Sequence, residues 1–145
     1  MAYLFDTDAI SEVLKKKPAP LYMQWLQAIP PEQQYVSAIT VGELYKGAYR
    51  KVTTQPQILQ SLQERILPGV LLLPFDRGTA QIYGHTYAEL ERQGQPLAHA
   101  DLQIAATAIQ HGLELVTGNL RHFERVPGLQ IQPILSLARQ QRADG

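Results

Sequence analysis

Short apolar runs alternate with longer amphipathic stretches along this chain, and that alternation constrains its fold more than any other feature. Tyr3–Phe5, Gln34–Ala38, Val70–Leu73, Leu113–Thr117 and Leu129–Ile131 are strand-length segments. Between them, apolar residues recur at helical spacing: Ile10, Val13 and Leu14, then Leu21, Trp25 and Leu26. The same spacing returns at Val41, Leu44, Tyr45 and Ala48, and at Ile58, Leu59, Leu62 and Ile66. Strand and helix in regular succession predict an α/β fold. Its central twisted sheet is mostly parallel, has four or five strands, and carries helices on both faces. In such sheets ligands bind just beyond the carboxyl ends of the strands.

Punctuation residues set the expected boundaries. Lys15, Lys16, Lys17 and Pro18 end the first helix, and Pro30-Pro31 closes the second, which starts at Pro20. Thr40 is expected to open the third helix, and Pro68-Gly69 to stop a fourth that begins at Pro56. Asp76 reads as the N-cap of a helix reaching Arg92 and ended by Gly94. Ala98–His111 is the next helix, ended by Gly112, and Asn119 opens a short helical turn. The tail after Leu135 is compatible with a final helix or with fraying.

The 145 residues fit a single domain, with residues after about 135 as its tail. Net charge is zero, which excludes the broad basic field of a bulk electrostatic nucleic-acid binder but leaves a nuclease open. With no cysteine, disulfides, thiolate metal sites and cysteine nucleophiles are excluded. The N-terminal residues lack the basic and apolar regions of a signal peptide, and no run approaches the roughly 20 apolar residues of a membrane span. A cytoplasmic location is expected.

Three acids stand at positions that a parallel sheet would bring to one edge. Asp6 follows the first strand, Glu43 lies at the start of the helix after the second, and Asp101 lies early in an apolar helix. Asn119 follows the strand that ends at Thr117. Carboxylates crowded in a partly buried pocket raise one another's pKa and lose charge unless a cation joins them. Mg²⁺ or Mn²⁺ suits such oxygen ligands, keeps several waters, and can activate one of them against a phosphodiester. Each acid also has a structural reading. Thr40-Val41-Gly42-Glu43 has the form of a capping box, and Asp6 can cap the helix that follows it, with Thr7 or Asp8 sharing that work. Asp101, among Leu97, Leu102, Ile104 and Ala105, is the hardest to assign to solvent.

Four segments taken together resemble the PIN-domain nucleases, and most closely the VapC-type toxins of bacterial toxin–antitoxin pairs. They are Leu4–Asp8, Thr40–Leu44, Ala100–Ala106 and Leu115–Asn119, and the likeness runs from Tyr3 to about Leu129. The resemblance implies a PIN fold, a Mg²⁺- or Mn²⁺-dependent endoribonuclease and a homodimer. It also implies inhibition by a small antitoxin that contacts DNA within the complex. Asp6, Glu43 and Asp101 match the family's first three acids, with Thr7 and Thr117 as supporting residues. Two positions depart from the pattern. Asp8 stands where the family usually carries Asn. The segment expected to hold a fourth acid offers Asn119 and His122 instead. An amide at Asn119 can orient a water or a ligand, and His122 can contact phosphate or move a proton.

Substrate phosphates call for cations, and Lys46, Arg50 and Arg121 are the candidates. Tyr22, Trp25, Tyr45 and Tyr49 are candidates for a partner-binding groove, with core packing as the alternative for Trp25. Two other functions fit parts of the pattern. A catalytically inactive PIN-like binding module would keep the acids for fold or metal. A haloacid dehalogenase-like phosphatase would use Asp6 and Asp8 as its paired acids, but its second motif would then lie too near the C-terminus.

Overall fold

The computed structural model describes residues 1–144. Five parallel strands form one sheet in the order β3-β2-β1-β4-β5. They are β1 (Tyr3–Phe5), β2 (Gln34–Ser37), β3 (Leu71–Leu73), β4 (Glu114–Val116) and β5 (Gln130–Gln132). The register sets Phe5 opposite Val116 and Leu4 opposite Tyr35. The chain builds outward from β1 to β3, then crosses back to β4. The strand order therefore reverses between β1 and β4, and the crevice of an open α/β sheet opens at such a point.

Alternation along the strands divides the core into two. Tyr3, Phe5 and Val116 face α1 (Thr7–Val13), α2 (Pro20–Gln27), α3 (Ala38–Arg50) and α8 (Ile134–Asp144), where Ile10, Tyr22, Leu44 and Leu135 are buried. Leu4 and Leu115 face the opposite way, toward α5 (Arg77–Arg92), α6 (His99–His111) and α7 (Leu120–Glu124). Trp25 packs edge-on to Tyr3 at 5.0 Å between ring centroids, and Tyr22 is fully buried with its hydroxyl donating to the Ala9 carbonyl. Both belong to the core, so the proposed groove loses them. Tyr45 and Tyr49 stack on each other along α3.

Most expected boundaries hold within a residue or two. Asp76 caps α5 with a reciprocal bond to Thr79, and Gly112 ends α6 with a left-handed backbone at φ 64°. The start of α3 differs. Ser37, not Thr40, is the N-cap, and its hydroxyl accepts from the Thr40 backbone N–H at 3.0 Å. Thr40 is therefore inside the helix, the expected capping box does not form, and Glu43 falls in the second turn. The fourth helix, α4 (Gln55–Ser61), continues into a π-helical turn at Leu62–Ile66 and a 3-10 turn at Leu67–Gly69. The tail is α8, which buries Leu135 and Ala138 against the first core.

Candidate active site

Asp6 directly follows β1, and its backbone N–H donates to the Val116 carbonyl of β4, which places it at the point of strand reversal. It is also the N-cap of α1, with Oδ1 accepting from the Ala9 N–H at 2.7 Å. Its side chain is buried, with 5% exposure. Burial pushes its carboxyl up to about 7, and the charges of Asp8 and Asp101 add to the effect. Hydrogen bonds from Thr117 and the Ala9 backbone oppose it.

Asp101 comes to the same place from the first turn of α6, where its charge suits the helix dipole. Its Oδ2 lies 2.7 Å from His122 Nε2, which α7 carries in from the other side. Glu43 reaches the site from α3 and accepts a short hydrogen bond from the Thr7 hydroxyl. Released from any capping role, Glu43 is tied to the residue next to Asp6. Thr117 is fully buried at the end of β4, and its hydroxyl accepts from the Asn119 backbone N–H at 3.1 Å.

These elements enclose an open cleft of about 430 Å³. Asp6, Thr7, Asp8, Glu43, Asp101 and Asn119 line it, together with Gly118, Phe123 and Arg139. The structure thus brings the three predicted acids and Asn119 into one cavity. His122 stands behind Asp101. Lys46, Arg50 and Arg121 do not line the cleft. Lys46 and Arg50 are exposed on α3, and Arg121 lies in a separate hollow with Gly94, Gln95, Glu124 and Arg125.

The cation that does line the cleft is Arg139, on α8, which sequence reasoning missed. Its guanidinium forks onto Asp8, with Nη1–Oδ2 at 2.8 Å and Nη2–Oδ1 at 2.9 Å. Its Nε and Nη2 also donate to Glu12 Oε1 at 3.0 and 2.8 Å. Glu12 is 2% exposed and takes further bonds from Lys15 and the Ala19 N–H. Burial alone would raise its carboxyl, but these donors outweigh burial and hold it at about 2. The signals for both residues are weak. Glu12 lies one turn from the buried Ala9, and Arg139 one turn from the buried Leu135, so each stands on the apolar stripe of its own helix.

The donor set suits a hard divalent cation. Every side-chain donor of Asp6, Glu43 and Asp101 is a carboxylate oxygen, and the buried Asp6 lacks a cationic partner among its hydrogen bonds. Among the described residues, no three acids or histidines converge closely enough to enclose a bare ion. Mg²⁺ uses one or two carboxylates directly and keeps several waters, so its binding does not require three converging side chains.

Comparison with known proteins agrees with the fold and the motifs. The PIN domain family matches residues 3–129. Ribonuclease VapC2 of Haemophilus influenzae is 34% identical over 132 residues, covering 91% of this chain and 97% of that protein. Toxin FitB of Neisseria gonorrhoeae is 36% identical over 124 residues, covering 83% and 89%. The crystal structure of DNA-bound VapBC from Salmonella typhimurium superposes with a TM-score of 0.81 at 30% identity, covering 91% of this chain and 97% of that one. With the family matched over residues 3–129 of the 145 and such relatives spanning most of both chains, this protein belongs to the PIN-domain family.

Proposed function

We propose that the protein is a Mg²⁺- or Mn²⁺-dependent endoribonuclease that hydrolyses RNA phosphodiester bonds, and that it is the toxin of a toxin–antitoxin pair. The observation that carries this reading is the meeting of Asp6, Glu43 and Asp101 in one cleft, at the point where the strand order reverses. The relatives named ribonuclease and toxin support it. Asp6 and Asp101 are the expected direct ligands, and Glu43 acts directly or through water. A bound divalent ion supplies an activated water and charge neutralisation at the phosphoryl oxygen.

The chain's own residues do the rest. Thr7 fixes the Glu43 carboxylate. His122 holds Asp101 by its Nε2 contact, and its part in any proton transfer runs through that carboxylate. Thr117 fixes the turn that presents Asn119, whose amide can orient water or a phosphate oxygen. The buried face of Asp6 keeps its charge dependent on a cation. Lys46, Arg50 and Arg121 lie outside the cleft, and any contact they make is with more distant phosphates. A homodimer in the cytoplasm, held inactive by a small antitoxin that carries the DNA contact, completes the reading. No helix among the described residues is long and apolar enough to cross a membrane.

Partner-free protein incubated with structured RNAs and Mn²⁺ tests the proposal. Discrete cleavage products are expected, suppressed by EDTA and absent with Asp6→Asn. Intact RNA would favour the inactive binding module, and equal cleavage by Asp6→Asn would remove Asp6 from the chemistry.

A further inference from the structure

We infer that Arg139 is a positioning residue of the cleft: it pairs with Asp8 as a neutral unit, so that Asp8 adds no net charge toward a bound divalent cation and does not become a ligand. The inference rests on the metal-dependent reading of the site.

Three observations carry it. The first is the number of bonds. Four hydrogen bonds tie the Arg139 guanidinium to two carboxylates, and both Asp8 oxygens are taken up by the fork. A bidentate Arg–carboxylate pair is geometrically specific, unlike a lysine contact. The second is Gly118. A Cβ there would overlap both Arg139 Nη1 and Asp8 Oδ2. Gly118 has no positive φ, and a side chain there would require the ends of Arg139 and Asp8 to shift from this pairing. The pair lies against the turn that presents Asn119. The third is Glu12. A nearly fully buried carboxylate, held ionised, grips the same guanidinium from behind. That anchor fixes where the fork points and ties α8, through it, to the helix that Asp6 caps.

The arrangement has an electrostatic consequence. Asp8 and Arg139 both line the cleft with the three acids. Alone, Asp8 would add a fourth negative charge, and Arg139 alone would repel a divalent cation. Paired, the two largely cancel at the distance of the other acids, while the charge of Glu12, which does not line the cleft, is matched by Lys15. Removing either should shift cation affinity in opposite directions, by about five- to tenfold for a unit charge several ångströms away in a largely solvated cleft.

Mn²⁺ binding by isothermal titration calorimetry, in the absence of RNA, tests this with wild type, Asp8→Asn, Arg139→Met and the double variant. Asp8→Asn is isosteric, so it shows whether the cleft responds to the Asp8 charge even if Arg139→Met does not fold, and the double variant separates the pair from a direct Asp8 ligand. Asp8→Asn is expected to weaken Mn²⁺ binding five- to tenfold, Arg139→Met to tighten it by a similar factor, and the double variant to return within about twofold of wild type. A merely structural role for Arg139 would change melting temperature without this crossed pattern. Unchanged or tighter binding by Asp8→Asn would overturn the inference, as would additive losses in the double variant. If wild type itself takes up no Mn²⁺, the metal reading fails and this inference falls with it. If wild type binds but the variants show no coupling, only the inference falls.

Discussion

Asp6 closes the first turn of α1 and lines the cleft at the same time, and the two roles conflict in the absence of a cation. In the folded chain its proton is held up to about pH 7, against an ordinary value of 3.8. Between those values the folded state binds more protons than the unfolded state. Stability from this group is thus greatest below about pH 4, falls as pH rises, and the full cost stands above pH 7. Without metal, the protein should melt progressively lower between pH 5 and 8. Asp6→Asn keeps an oxygen for the Ala9 N–H and removes the buried charge. It should flatten that slope and stabilise the metal-free chain at pH 8 by on the order of 2–4 kcal/mol, read by urea denaturation. A variant that melts lower than wild type at pH 8 would contradict the account. Mn²⁺ should raise the wild-type melting temperature more at pH 8 than at pH 5, since only the ionised carboxylate binds it.

At the scale of elements, the site depends on how two helices begin and how a third is tied down. Ser37 caps α3 and so sets which turn carries Glu43. Ser37→Ala should cost about 1 kcal/mol, and cleavage should fall further than that loss of stability alone explains if Glu43 shifts. Equal activity in fully folded protein would separate the cap from the site. Both Ser37 and Thr40 are good capping residues, and Glu43 sits three after Thr40, so the local pattern favours the wrong one. What decides the matter is that β2 ends at Ser37, paired to Leu73 of β3, a long-range fact that no local window contains. The tie between α1 and α8 is of the same kind. Glu12→Ala would leave the Ala19 N–H without its buried acceptor and Arg139 with Asp8 alone, with an expected loss of about 1–3 kcal/mol. Chemical denaturation would read it, and a loss below 1 kcal/mol would show that the pair does not hold α8.

For the whole molecule, periodicity was enough to read the parallel sheet, the two helical layers and the edge where ligands gather. Those features follow from residue spacing of 2.0 and 3.6, and Asp6, Asp101 and Asn119 could be placed because each stands just after a strand or at a helix start. Arg139 could not be placed that way. It meets its partners across 127 and 131 positions, and a helical pattern tells which face is buried but not what that face will touch. The same limit explains the cations: Lys46 and Arg50 lie near Glu43 in sequence and on the same helix, yet they do not line the cleft. Asp8, which stands where the family usually carries Asn, is matched by a base from the far end of the chain.

The rate at which partner-free protein cleaves one structured RNA, followed as Mn²⁺ is titrated, tests the central claim most directly when wild type and Asp101→Asn are compared. The account predicts cleavage that rises from zero with Mn²⁺ and saturates for wild type, and a rate at least about 100-fold lower for Asp101→Asn at every concentration. Wild-type cleavage that persists in EDTA, or an Asp101→Asn rate matching wild type, would contradict it.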